Sequence, residues 1–180
     1  MQVRFFAGGD IEQNVFDKDD WLEGVYETTV PIGSDMVLQA EQQAQFAVWA
    51  LKDPEGANLD RVQIIKLWKD NKGQGQEQVF DVAWAGDRKM VNGNVPAIGS
   101  TANAELATYK NTIGEVNLSA VWKDPTFDPN QDAAYYVRVL EIPTPRWSAY
   151  DAHKSGIAHP EDLVKVIQER AWSSPIWYNA

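Results

Sequence analysis

Residues 128–142, DPNQDAAYYVRVLEI, open as a turn rich in Pro, Asn and Asp and run into a period-2 alternation in which Tyr135, Val137 and Val139 share one face. Turning those three inward leaves Arg138 in solvent, whereas the opposite register would bury a guanidinium with no evident partner at a cost of several kcal/mol, so the first register is predicted. The same alternation recurs in GEVNLSAVW, 114–122, with Val116, Leu118, Ala120 and Trp122 on one face. RVQIIKLW (61–68) and EQVFDVAW (77–84) flank the polar, Gly-containing KDNKGQGQ, which predicts a hairpin. From about Gln45, AQFAVWALKDP is apolar at both alternating sets of positions, as expected of a central strand covered by a partner sheet or by an appendage. QVRFFA (2–7) reads as a short strand ending at Gly8-Gly9-Asp10, and DDWLEGVYETT (19–29) as a short helix capped by Asp19 or Asp20, with Trp21 and Val25 on one face. ATYKN adds a short strand after a Gly-, Asn- and Pro-rich connection over 86–103. PTPRWSAYDAHKSGIAHPED, after Ile142, is a connection of about twenty residues, long for a compact domain, with a helical turn expected at 160–167. QERAWSSPIWY (168–178) is the last strand; Pro175 cannot donate to a ladder, so an edge or a bulge is expected there.

About seven strands with turn signals between them and little helix indicate an all-β antiparallel sandwich with long loops. Tyr135, entering a strand directly after a turn, resembles the tyrosine corner of immunoglobulin-like and fibronectin III-like sandwiches. On that pattern AQFAVWALK is strand B, RVQIIKLW C, GEVNLSAVW E, YYVRVLEI F and RAWSSPIWY G. Loops B–C and F–G then lie at one end and loop E–F at the other. Residues 1–35 are expected to form an N-terminal appendage with a short helix, the tail of a preceding region, and 36–180 the sandwich domain.

Charge narrows the partners. Lys plus Arg number 16 against 26 Asp plus Glu, a formal charge of −10, and phosphate is repelled by an acidic face, so a nucleic-acid surface is not expected. With no cysteine, disulfides, thiolate metal sites and a Cys nucleophile are excluded. The longest apolar run, FAVWAL at 46–51, falls far short of the roughly 20 residues of a membrane span. MQVRFFAGGD has no continuous apolar stretch of the kind a signal peptide requires.

Four groups of residues are candidates for binding or chemistry. Asp124, Asp128 and Asp132, with Asn130, are spaced four apart in a Pro-broken loop and offer oxygen ligands suited to structural calcium. The EF-hand Gly and bidentate Glu are missing, however, and Asp commonly caps turns. Asp53, Glu55, Asn58 and Asp60 stand on the same footing, and the predicted topology keeps the two sets at opposite ends. His153 and His159, with Asp151, Glu161 and Asp162 nearby, could hold zinc or manganese, but their spacing matches no known ligand pattern. No Gly-x-Ser-x-Gly elbow and no Gly-rich phosphate loop is present. Arg146, Trp147 and Tyr150 in the F–G connection are residue types that anchor protein partners, that stack on sugar rings, or that fold back on their own domain.

ALKDPEGANLDRVQIIKLW, VFDVAW, YYVRVLEIPTPRWSAYDA and IQERAWSSPIWY resemble the C-terminal region of a bacterial family, number 3604 among the domains of unknown function. The resemblance runs over essentially the whole chain and is looser at 86–112 and 152–165. Members of that family are similar to the PHP (polymerase and histidinol phosphatase) group of metal-dependent hydrolases within the amidohydrolase-like barrels. The resemblance implies that the metal-binding motifs, His-x-His among them, lie in an N-terminal region, and none of them occurs in this sequence. It also implies a periplasmic or extracellular setting. The resulting expectation is a non-catalytic accessory sandwich with no cofactor of its own, whose partner is the catalytic region of its parent chain, contacted through Arg146, Trp147 and Tyr150. The alternative is a carbohydrate-binding module with an aromatic platform and structural calcium.

Overall fold

Period-2 patterning becomes two sheets in a computed structural model that describes residues 1–180. The first sheet is formed by β1 (Gln2–Gly8), β2 (Val30–Pro31), β4 (Gln45–Leu51) and β7 (Asn117–Lys123), in the order β2-β1-β4-β7 and antiparallel throughout. The second contains β3 (Asp35–Met36), β5 (Leu59–Lys69), β6 (Gly75–Trp84), β8 (Ala133–Glu141), β11 (Arg170–Trp172) and β12 (Ile176–Tyr178). Its order is β3-β12-β8-β5-β6, with β11 also on β8, and only the β3–β12 pair is parallel. A separate ladder joins β9 (Thr144–Pro145) to β10 (Val166–Ile167). Helices are limited to α1 (Trp21–Thr28), α2 (Trp147–Ser155) and a 3-10 turn at Val15–Asp17. The predicted all-β sandwich is therefore the observed architecture.

The sheets meet across side chains from alternate positions: Phe5, Phe46, Val48 and Leu118 from one layer, Val62, Ile64, Tyr135, Val137, Val139 and Ile176 from the other. Phe46 lies with its ring centre 4.5 Å from that of Tyr135, and Phe80 4.8 Å from Trp122, so aromatic pairs bridge the layers. Fully burying one such side chain is worth about 1.5–3 kcal/mol. β4 is apolar on both faces because both are covered. Ala47 and Phe6 turn away from the sandwich onto Ile11, Val15 and Val25, and Trp21 of α1 sits against Trp49. The helical segment packs on the outer face of the first sheet. β1, also within residues 1–35, pairs with β4 over seven residues and sends Phe5 and Ala7 into the main core.

The hairpin forms as predicted. Asp70 Oδ1 accepts the Lys72 and Gln74 N–H groups at 2.9 Å each, and Gly73 adopts φ +74, which closes the β5–β6 turn. The last strand is split as Pro175 requires. β11 and β12 both pair with β8, and between them Ser173 Oγ accepts the Val137 N–H at 2.9 Å that a continuous strand would have taken.

Several local expectations are corrected. ATYKN is not a strand; only an isolated bridge, Asn103 to Thr108, forms there. Helix appears at 147–155 instead of 160–167. Val116 precedes β7 and is exposed, because the chain there turns aside to bond Glu115 to Leu59. Asp20 occupies the N-cap of α1 but makes no capping side-chain bond.

Candidate functional site

The connection after β8 is shaped by its prolines. Pro145 removes a donor and biases the residue before it to extended backbone, so Thr144–Pro145 form the short ladder with Val166–Ile167 instead of a helix. Arg146 continues that ladder by donating its N–H to the Lys165 carbonyl at 2.8 Å. It then turns the chain into α2 by accepting the Ala149 N–H at 2.8 Å on its own carbonyl. Only Ala149 and Ala152 of α2 are buried, and Gly156, at φ +64, ends the helix. The predicted trio is thereby gathered on one turn. Trp147 is 70% exposed, its ring centre lies 5.6 Å from that of half-buried Tyr150, and Arg146 takes no part in the chain's five ion pairs. Burial pushes the Tyr150 hydroxyl up from its ordinary value. Tyr109, brought alongside by the 101–110 loop, is raised by burial and then by Tyr150 and Glu141. The turn thus presents two adjacent aromatic rings beside a guanidinium that joins no ion pair.

The two histidines are placed differently. His153 is exposed in the last turn of α2, while His159 Nε2 meets Ser148 Oγ at 2.9 Å and ties the following loop back to the helix. Both line a cavity of about 310 Å³ together with Glu105 and Lys165. No three His, Asp or Glu side chains in the molecule converge in a set able to hold a metal ion.

The carboxylate sets are likewise put to structural use. Asp124, the first proposed calcium ligand, is buried and committed: Oδ2 receives Lys66 Nζ at 2.7 Å and the Tyr135 hydroxyl at 2.8 Å, while Oδ1 receives the Thr126 N–H and hydroxyl. Burial, then the Asp124 charge, pushes the Tyr135 hydroxyl far up, so it stays a donor. Asp128 caps the Asn130 N–H, and Asp132 accepts the Ala180 N–H, so the three aspartates do not point at a common centre. Asp60 is buried between Arg61 and Arg88, and Asn58 Nδ2 donates to the Ile113 carbonyl at 2.9 Å.

The whole chain, residues 1–180, matches the model of the family described as Protein of unknown function (DUF3604). The chain belongs to DUF3604. No curated protein matches it, and no solved structure does.

One feature of this DUF3604 chain escaped residue-by-residue reading. A groove of about 760 Å³ lies where the ends of β5 and β12 meet the beginnings of β6 and β8, with Trp68, Trp177 and Tyr178 among its lining residues. The available signal was Trp177, which alternation between inward Ile176 and Tyr178 places on the outer face of the sheet.

Proposed function

We propose that this DUF3604 chain is a non-catalytic accessory sandwich of immunoglobulin-like type that packs on the catalytic region of a PHP-like metal-dependent hydrolase and shapes the mouth of its active site. The observation that carries this reading is Trp147, a large side chain left 70% exposed next to Tyr150 and an unpaired Arg146. Leaving so much aromatic area in water forgoes burial worth about 1.5–3 kcal/mol, and Trp, Tyr and Arg are the residues that recover such energy at interfaces. The ladder at its base and the buried alanines of α2 fix the ledge in place, so binding costs little ordering entropy. The immunoglobulin-like reading has its own support: β4 pairs with β7, β5 with β8, and β8 with β12, the neighbours required if these are strands B and E, C and F, and F and G. The PHP-like context rests on the family resemblance.

The test is made in the full-length parent chain. Arg146→Ala with Trp147→Ala is expected to lower its melting temperature by several degrees and its hydrolytic activity by about tenfold or more, as removal of an interface anchor worth over 1 kcal/mol would. Melting and turnover both equal to wild type would remove the docking role.

A further inference from the structure

We propose that the groove at the opposite end of the sandwich, built around Trp177, binds a neutral oligosaccharide. β5 runs from Leu59, paired with Glu141 at the end of β8 from which the chain leads to the docking ledge, to Lys69 in the groove, about 30 Å at the strand rise, so a ligand there is held clear of the proposed dock.

The lining carries the chemistry that sugar rings require. Trp177 is 49% exposed and stands on the outer face of the sheet in register with Ala134 and, one strand further, Leu67; Ala134 is too small to cover the indole. An uncovered indole face is a platform for the C–H face of a pyranose, and its edge is a donor. Of the chain's eight indoles only that of Trp84 donates within the chain, so the N–H groups of Trp68 and Trp177 are, like the others, open to a ligand hydroxyl. Acceptors for sugar hydroxyls are on hand. Asp128 and Asp132 each use one carboxylate oxygen for a backbone N–H, Oδ1 in both cases, and keep the other free, and Gln131 spends only its amide nitrogen, on the Lys69 carbonyl.

Other ligand classes fit less well. Only six of the sixteen lining residues are hydrophobic, too few for an aliphatic ligand. Lys69 is the single cationic side chain in the lining, and the chain carries a charge of −10, so a phosphorylated or uronic-acid ligand would meet repulsion. The groove is open and contiguous with the sheet face, a shape that takes a chain of sugar units rather than an enclosed monosaccharide.

The experiment is a titration of the ¹⁵N-labelled chain, followed by amide and indole NMR shifts, with cellohexaose, xylohexaose, mannohexaose and chitohexaose, and with hexagalacturonate as the anionic arm. Saturable shifts at the Trp177 indole and at residues 128–132 are expected with at least one neutral hexasaccharide, and none with hexagalacturonate. Trp177→Ala, on an exposed site that leaves the core intact, is expected to weaken binding about tenfold or more, while Trp177→Phe retains most of it and Trp147→Ala changes nothing. The proposal is overturned by an absence of groove shifts with every neutral sugar at about 10 mM, a concentration that detects even millimolar affinity. It is equally overturned by preference for the anionic sugar, by shifts confined to Trp147 and Tyr150, or by shifts that track self-association of the chain instead of sugar concentration. Because the docking test reads Arg146 and Trp147 and this one reads Trp177, either reading can fail alone.

Discussion

Lys66 illustrates what single residues decide here. It sits in β5 at an inward position between apolar neighbours, 58 residues from the carboxylate that neutralises it, and its ammonium also lies 5.5 Å from the Trp68 ring. Removing one member of a buried pair strands the other, so Asp124→Ala is expected to cost about 3–5 kcal/mol, read as a lowered urea midpoint with unchanged slope. Glu141, at the far end of β8, behaves differently. Burial, reinforced by Glu169 and partly offset by Lys52, raises its carboxyl above the ordinary value of 4.5. A raised carboxyl makes the folded state hold its proton longer than the unfolded state does, so Glu141 lowers stability as pH rises from about 4.5 through the raised value. Glu141→Gln should flatten that part of a melting-temperature profile against pH, and an unchanged slope would show that the titration lies elsewhere. The inward turn of Tyr135 could be read from alternation and the cost of burying Arg138. Its hydroxyl's partner could not, because Asp124 looks like one more turn-capping aspartate until the fold folds Lys66 over it.

At the level of elements, patterning succeeded where a strand pairs along its length and failed where contacts from distant segments decide. The β5–β6 hairpin was readable because its turn chemistry, Asp70 and Gly73, is local. The helix after β8 was not, since only Ala149 and Ala152 of α2 are buried and two alanines leave no clear apolar stripe. Arg146, Trp147 and Tyr150 stand out in the sequence by residue type alone, and α2 supplies the spacing that brings the two rings together. The 86–116 connection is held not by ladders of its own but by its return to β5. Leu59 and Glu115 exchange both backbone bonds, at 2.8 and 2.9 Å, next to Gly114. Gly114 has φ +80, and a Cβ there would come within 2.7 Å of Asn58 Cβ and of Ile142 Cγ2. Gly114→Ala therefore combines left-handed strain with overpacking, and a loss of about 2–4 kcal/mol in chemical denaturation is expected.

Across the whole molecule, sheet membership ignores the order of the sequence. Sheet one draws on β1, β4 and β7 and sheet two on β5, β8 and β12, so the layers are interleaved along the chain. QVRFFA is too short to announce that it will lie beside a strand more than thirty residues away, and its pairing of Gln2 with Leu51 becomes visible only in three dimensions. The groove was hidden for the same reason, since four strand ends meet there. The interleaving also governs what happens as the polypeptide leaves the ribosome, N-terminus first. The first layer has all its strands by residue 123, but the core between the layers stays open until β12 arrives at 178. Until then Phe5, Phe46 and Ile64 have no complete core to enter, and the nascent chain exposes sticky, unpaired edges for most of its synthesis. A holdase that shields those edges during translation would therefore raise the yield of this domain.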